Sequence, residues 1–207
     1  MQRRDNYRLQ LEQAKQTFLT YDQQKLIAKL NLRADDAFLY PCLLGCNYRI
    51  DRKTADFSRL QDGAWVDANS HSEVMTLLDL ICDSREDRCL KHRWKDMISF
   101  GHMFHQSLQE EDPWAKRFEK DPEELARACE AMGGKPFPKG DVAYSIELFD
   151  GLGILLQFWL GDEEFPSAVR LLWDENALMY IKYETMYFAK SLLFQRLAEK
   201  MEGKDKL

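Results

Sequence analysis

A run of three carboxylates in a turn is the part of this sequence best suited to chemistry. Asp162, Glu163 and Glu164 are consecutive, and they follow an apolar segment that reaches Trp159. Adjacent carboxylates shift each other's pKa and bind hard cations, so the turn could hold a metal ion or exchange protons with a substrate. The alternative is structural: glycine and proline shape the turn, Asp162 accepts hydrogen bonds from backbone amides, and Phe165 fills the core. Turn chemistry explains more of these residues and is the interpretation we favour.

A pair of histidines forms the second candidate group. His102 and His105 are three residues apart, which places both imidazoles on one face if the segment is helical. Glu110, Glu111 and Asp112 are close enough in sequence to join them at a divalent metal ion or to orient one of them as a base. We favour two ordinary surface histidines, because no third ligand has a defined spacing. The predicted ligand-binding residues are Trp159, Asp162, Glu163, Glu164, His102 and His105, and none is predicted to be catalytic.

The cysteines predict thiols in a reducing cytoplasm. There are five, an odd number, and no Cys-x-x-Cys pair occurs, so they do not form the pattern of a disulfide framework. Cys82, Cys89 and His92 have spacings that a zinc or iron site could use, with Cys42 or Cys46 as a distant ligand. Cys82, however, belongs to an apolar helical stripe, and free cysteine is commonly a small buried hydrophobe. We therefore favour cysteines that are buried or incidental over a metal site. The sequence identifies no cofactor.

The charge distribution argues against a nucleic-acid or membrane partner. One basic stretch, residues 85–95, contains Trp94 and could stack on a base, but Glu86, Asp87 and Asp96 interrupt or border it. A solvated loop with internal ion pairs is the favoured interpretation. The formal net charge of -6 repels polyanions and anionic lipid surfaces. No run of about eighteen apolar residues indicates a membrane span, and the polar N-terminal segment does not resemble an export signal.

The elements that would position these groups begin with a helical arm over residues 5–31. Tyr7, Leu11, Ala14, Phe18 and Tyr21 recur at steps of four and three, which predicts one buried face of a helix. A second helix is expected after an aspartate at position 22, whose side chain can cap it. This arm is predicted to pack on the core.

Short strands and helices are predicted for the middle of the chain. Residues 37–60 contain short apolar runs broken by turn residues, which indicates two or three antiparallel strands. Ser70 and Glu73 form a capping box that begins a helix. Residues 97–101 have the pattern of a strand. The pairs Asp112-Pro113 and Asp121-Pro122 each begin a short helix.

The C-terminal third is predicted to be one strand, strand, turn, strand and helix unit. Residues 142–148 alternate between apolar and polar side chains, as in a strand with one buried face. Residues 154–160 are almost entirely apolar, which is typical of a central strand. A third strand over 169–173 follows the acidic turn, and a long helix is expected from Asp174 to about Met201.

These elements predict a single α+β domain. Its antiparallel sheet of about five or six strands is expected to be covered by the N-terminal and long C-terminal helices. Its parts are the arm at 5–31, mixed strands and helices at 37–134, and the C-terminal unit at 141–201.

A family resemblance is carried by the segment from Gly140 to Glu184. Its main motif is Gly-Asp-Glu-Glu-Phe-Pro at positions 161–166. The segment resembles an uncharacterised bacterial and archaeal family that is known as a domain of unknown function. The resemblance implies an origin mainly in anaerobes, where some relatives are fused to an iron-sulfur module. This chain lacks the closely spaced cysteines of such a cluster, and the family has no established catalytic residue to transfer.

The expected function is that of a cytoplasmic binding or accessory protein. The resemblance links it to anaerobic redox or metalloenzyme metabolism, with an unidentified protein or small molecule as its partner. An enzyme is disfavoured, because no dinucleotide fingerprint, phosphate-binding loop or nucleophile elbow occurs in the sequence. Two alternatives remain: a small metal-dependent enzyme with a carboxylate-histidine site, and a structural subunit of an oligomer.

Overall fold

The computed structural model describes residues 2–101 and 112–203, with side chains from residue 6 onward. Its α-helices are α1 Gln2–Thr20, α2 Gln23–Leu30, α3 His71–Leu78, α4 Pro113–Phe118, α5 Pro122–Ala131 and α6 Tyr183–Glu202. Its strands are β1 Arg33–Ala34, β2 Phe38–Tyr40, β3 Cys42–Leu43, β4 Cys46–Asp51, β5 Phe57–Gln61, β6 Ala64–Asp67, β7 Trp94–Asp96, β8 Lys135–Pro136, β9 Val142–Phe149, β10 Leu152–Trp159 and β11 Ala168–Asp174. The predicted α+β class, antiparallel pairing and long C-terminal helix are confirmed.

The strands divide between two antiparallel sheets. The first has the order β1-β2-β4-β5-β6, with β3 paired to β4. The second has the order β7-β11-β10-β9-β8. The chain correspondingly forms two compact units, one of Met1–Cys89 with Leu178–Ala189 and one of Leu90–Ala177 with Lys190–Leu207. Whether these units make one folding domain stays a prediction.

The second unit is built around β10. This strand pairs with β9 on one side and β11 on the other, and most of its side chains are buried. Its one buried polar side chain, Gln157, donates to the carbonyl oxygen of Lys139 at 3.0 Å, which satisfies a group that burial alone would destabilise. The predicted central strand is therefore confirmed.

The helix starts predicted from capping residues are also confirmed. The Asp22 carboxylate accepts from two backbone amides at the start of α2, and Ser70 and Glu73 form the capping box of α3. Asp112 and Asp121 accept from amides at the starts of α4 and α5, each with proline at the first helical position. A capping side chain accepts from amides that have no partner within the helix, and these amides are only two or three positions away. The sequence next to a helix start therefore predicts it.

Two predicted elements were wrong. The last helix begins at Tyr183 and not at Asp174. The Asp174 carboxylate instead accepts from the backbone amides of Lys91 and His92, at 3.0 Å and 2.6 Å, and so fixes a distant loop. Residues 97–100 form a 3₁₀-helix, capped by Asp96, where a strand was expected. The strand in this region is β7, which pairs with β11.

Candidate functional site

The first unit contains a groove that is larger than the cavity beside the acidic turn. Its volume is about 510 Å³. It is lined by one face of α1, by α3 and the turn that follows it, and by the start of α6; we call it the α1–α3 groove. The lining residues are Gln10, Gln13, Ala14, Thr17, Phe18, Tyr21, Met75, Leu78, Asp79, Cys82, Asp83, Lys182, Glu184, Thr185 and Phe188.

The floor of the groove is apolar. Phe18 is fully buried and Leu78 nearly so, while Met75 and Phe188 are half-buried beside them. The α1 contribution comes from the face that its apolar spacing predicts, although Tyr7 at the far end of that face is exposed. Such a surface binds the apolar part of a ligand, because burial removes that part from water.

One end of the groove is a network of charged groups. The Lys182 ammonium lies 3.2 Å from one oxygen of Asp79 and also pairs with Asp83. The backbone amide of Lys182 donates to the other Asp79 oxygen at 2.8 Å, and the Tyr21 hydroxyl donates to Asp83 at 2.8 Å. Asp79 is buried, whereas Lys182 is mostly exposed. The network therefore has a fixed inner side and an open outer side.

A π-helical turn, Asp79–Asp83, positions both aspartates and Cys82 at the groove. Such wide turns are rare and are often found at functional sites. The Lys29 ammonium donates to the carbonyl oxygens of Cys82 and Ser84, at 3.1 Å and 2.9 Å, and so satisfies carbonyls at the end of the turn. Burial lowers the pKa of Lys29.

The protonation states follow from these contacts. The hydrogen bond to Asp83, with burial, raises the pKa of Tyr21 to about 12, so the phenol is neutral. Burial acts to raise the pKa of Asp83, but hydrogen bonds from Lys182 and Tyr21 outweigh it and hold that pKa below its ordinary value. Burial likewise opposes the charge of Lys182, and its two carboxylate partners raise its pKa. The end of the groove is thus an ionic network at neutral pH.

The acidic turn, Gly161–Pro166, is the second concave site. Asp162 accepts from the backbone amides of Glu164 and Phe165 at 2.9 Å and 2.8 Å, as the turn interpretation predicted. These two hydrogen bonds lower the pKa of the Asp162 carboxyl. A side chain on Gly161 would come within 2.8 Å of the backbone nitrogen of Ser167, so the close approach there requires glycine.

A smaller cavity of about 290 Å³ lies beside this turn. Glu119 of α4 links its walls, because its carboxylate accepts from the Gly161 amide at 3.3 Å and from the Ser167 hydroxyl at 3.1 Å. Asp162 and Lys116 also line this cavity. Most of its polar groups therefore already have partners within the protein.

The structure separates the predicted ligand-binding residues. Asp162 lines the smaller cavity, whereas Glu163 and Glu164 are exposed and are not part of its lining. Trp159 is half-buried at the end of β10, opposite Ala168. His102 and His105 lie outside the described residues. One structural expectation was wrong: Phe165 is 68% exposed and does not fill the core, because the turn holds its ring outward.

The basic segment follows the favoured interpretation only in part: it contains one internal ion pair, but Trp94 and Lys95 belong to β7 and not to a loop. Burial raises the pKa of Cys82 and of Cys129 to about 12 in each case, and the charge of Asp83 adds to the effect at Cys82. Arg85 pairs with Asp87, and Arg93 pairs with Glu175.

Within residues 2–101 and 112–203, no group of three or more histidine, cysteine or acidic side chains is arranged to hold a metal ion. No helix in those ranges is long and apolar enough to cross a membrane.

The charged end of the α1–α3 groove was missed in the sequence. The Asp79 carboxylate and the Lys182 amide are 103 positions apart, and Tyr21 is 62 positions from Asp83. No local spacing connects such residues. The one local feature of this end is a pair of aspartates on either side of the apolar run Leu80-Ile81-Cys82. An ordinary amphipathic helix can contain the same pattern, so it does not indicate a binding site.

Comparison with known proteins places the chain in a family. A family model described as a domain of unknown function, DUF3786, matches residues 22–196. No curated protein and no solved structure matches the chain. The match begins in the N-terminal helices and ends in α6, so it extends well beyond the segment that carried the resemblance. This chain therefore belongs to the DUF3786 family of domains of unknown function.

Proposed function

We propose that this protein is a binding protein whose α1–α3 groove takes a small amphipathic cation, with an apolar body and an amine head. One observation carries the proposal: the groove joins an apolar floor to an end where acids outnumber bases. Its lining contains three carboxylates, those of Asp79, Asp83 and Glu184, and one ammonium, that of Lys182. Lys29 lies at the end of the turn, where it donates to the carbonyl oxygens of Cys82 and Ser84, but it is not part of the groove lining. A ligand cation would therefore balance the excess of carboxylates within the groove.

The floor provides the affinity for the ligand body. Met75 and Phe188 present the accessible apolar surface, with Phe18 and Leu78 packed beneath them, and methionine adapts to ligands of different shape. Removing about 100 Å² of apolar ligand surface from water contributes about 2.5 kcal/mol. A single aromatic ring or a short alkyl chain is of that size.

The charged end provides the selectivity for the ligand head. An amine can donate to Asp83 from the open side of the network, while Lys182 holds Asp79 and Asp83 in place. A carboxylate at the same position would face three like charges, which lowers its affinity. The π-helical turn and Lys29 keep the aspartates fixed before the ligand arrives, so little ordering is needed on binding.

The proposed setting is the cytoplasm of an anaerobe, as an accessory to redox or metalloenzyme metabolism. The five free thiols support a reducing compartment. The metabolic setting rests on the family resemblance, and a small-molecule partner is consistent with the size of the groove.

A charge-reversed pair of ligands tests the proposal. Calorimetric titration with phenethylamine and with 3-phenylpropionate compares two molecules of similar size and opposite charge. We expect the amine to bind and the acid to bind at least about tenfold more weakly, because the acid meets the carboxylates of the groove. Equal affinities, or binding of the acid alone, would contradict the proposal.

A matched pair of variants locates the interaction. Asp83→Asn removes one charge at the groove, and Asp87→Asn removes one charge from an exposed partner of Arg85 in the same unit. We expect amine affinity to fall about tenfold in Asp83→Asn and to stay unchanged in Asp87→Asn. Circular dichroism confirms that both variants are folded. If both variants lose affinity equally, only the net charge matters and the groove assignment is wrong.

A further inference from the structure

The outer face of the first sheet carries a cluster of aromatic rings and arginines outside the α1–α3 groove. The Arg33 guanidinium lies over the Tyr40 ring, 4.3 Å from its centroid. The Arg49 guanidinium lies 4.8 Å from the centroid of Phe38 and 4.8 Å from that of Trp65. Because the ring centroids of Tyr40 and Trp65 are 6.4 Å apart, these five side chains form one continuous patch. We call it the aromatic–arginine face.

Strand alternation explains why these side chains share a face. Phe38 and Tyr40 flank Leu39 on β2, and Leu39 is fully buried. Arg49 lies between Tyr48 and Ile50 on β4, which are both fully buried as well. The core therefore lies on the other side of these strands. On the aromatic–arginine face, Arg33 is exposed and the other four side chains are partly exposed.

The two arginines of this face have no acid partner among the described residues. Neither guanidinium donates a hydrogen bond or forms an ion pair there, and the Nε atom of Arg49 is buried with no acceptor. Three aspartates lie near this face, and each carboxylate accepts hydrogen bonds close to its own position in the chain. Asp35 accepts from the amides of Ala37 and Phe38 and from the Tyr40 hydroxyl. Asp51 and Asp67, which the register places on the same face, accept from the Lys53 and Thr54 amides and from Asn69. A stacked guanidinium keeps its N–H edge available for an anion, and it suits phosphate in particular.

We propose that the aromatic–arginine face binds a free nucleotide. The base stacks on one of the guanidinium groups, because the rings are inclined to each other by 48° and 52° and form no common plane. The phosphate accepts hydrogen bonds from the N–H edges of Arg49 and Arg33. The face offers two cations on short strands, enough for one phosphate group but not for a polymer. The net charge of -6 also repels a long polyanion, so the occupant is a mononucleotide and not a nucleic-acid strand. This site is separate from the amine groove and does not depend on it.

Titration with adenosine 5′-monophosphate tests the proposal, with adenosine and inorganic phosphate as the two halves of the ligand. We expect the nucleotide to bind at least about tenfold more tightly than either half, because stacking and phosphate binding act together. A single-stranded oligoadenylate of about twelve residues is the competing occupant. Tighter binding of that strand than of the mononucleotide, or equal binding of the nucleotide and inorganic phosphate, would overturn the proposal.

Arg49→Gln and Trp65→Leu locate the nucleotide on this face. Both are expected to weaken nucleotide binding by at least about tenfold. Arg85→Gln is the control, since Arg85 is an exposed arginine of the same unit that pairs with Asp87. Circular dichroism is the folding check for all three variants. Nucleotide binding that survives both Arg49→Gln and Trp65→Leu, or that falls equally in Arg85→Gln, would show that the face is not the site.

Discussion

The α1–α3 groove and the acidic turn both collect carboxylates, but they use them differently. In the turn, Asp162 accepts from amides two and three positions later in its own loop. In the groove, Asp79 and Asp83 meet Lys182 and Tyr21 from distant parts of the chain. The turn uses its aspartate to hold its own shape, whereas the groove holds its aspartates beside an open apolar floor. Carboxylates that the fold brings together at an open surface are the better candidates for binding.

The largest expected difference between the two sites concerns their phenylalanines. Phe18→Ala removes a fully buried ring at the groove floor and is expected to lower the free energy of unfolding by about 3 kcal/mol. Phe165→Ala removes a ring that is 68% exposed and should change that free energy by no more than about 0.5 kcal/mol. Urea unfolding of the two variants measures both values. Similar losses would mean that the two rings have similar environments, contrary to the structure.

The next effect concerns the buried aspartate. Asp79→Ala leaves the backbone amide of Lys182 without its acceptor and is expected to cost about 2 kcal/mol of unfolding free energy. Asp162→Ala is the matched control in the exposed turn and should cost less, because water can replace its carboxylate there. The same urea experiment measures the loss of unfolding free energy in each of the two variants. A greater loss for Asp162→Ala would reverse the contrast between the sites.

The smallest effect is a pH dependence that belongs to the groove. The pKa of Asp83 in the folded protein lies below its ordinary value of 3.8, so its ionised form stabilises the fold above that value. This contribution is lost as pH falls through the folded pKa. Wild type and Asp83→Asn should therefore differ in stability at pH 7 and approach each other toward pH 3. A gap that stays constant over this range would show that Asp83 is not stabilised by Lys182 and Tyr21.

The sequence predicted what local interactions determine. Caps at Ser70, Asp112 and Asp121 were correct because each satisfies amides within one helical turn. The alternation in β9 and the apolar run of β10 were correct because strand burial repeats along the chain. Asp174 does accept from the nearby Asn176 amide, but only a 3₁₀ turn, Ala177–Met179, follows it. The same carboxylate also binds amides 82 and 83 positions away, a contact that no local pattern predicts.

The sites themselves were harder to predict than the fold. The acidic turn was predicted as a candidate site because its three carboxylates are consecutive in the sequence. In the structure, the carboxylate of Asp162 accepts hydrogen bonds from amides of the same turn. The groove needs α1, the π-helical turn and the start of α6 together, and the π-helical turn has no sequence signature in Asp79–Asp83. The aromatic–arginine face depends on strand register, which short strands of two to six residues specify weakly.

Hydrogen exchange at the π-helical turn Asp79–Asp83 tests the central claim most directly, because this turn lines the α1–α3 groove. Exchange of its backbone amides is followed by mass spectrometry with and without saturating phenethylamine. The acidic turn Gly161–Pro166 serves as the internal reference. The account predicts that the amine slows exchange in Asp79–Asp83 and leaves that of Gly161–Pro166 unchanged. Unchanged exchange in Asp79–Asp83 under saturation would contradict it.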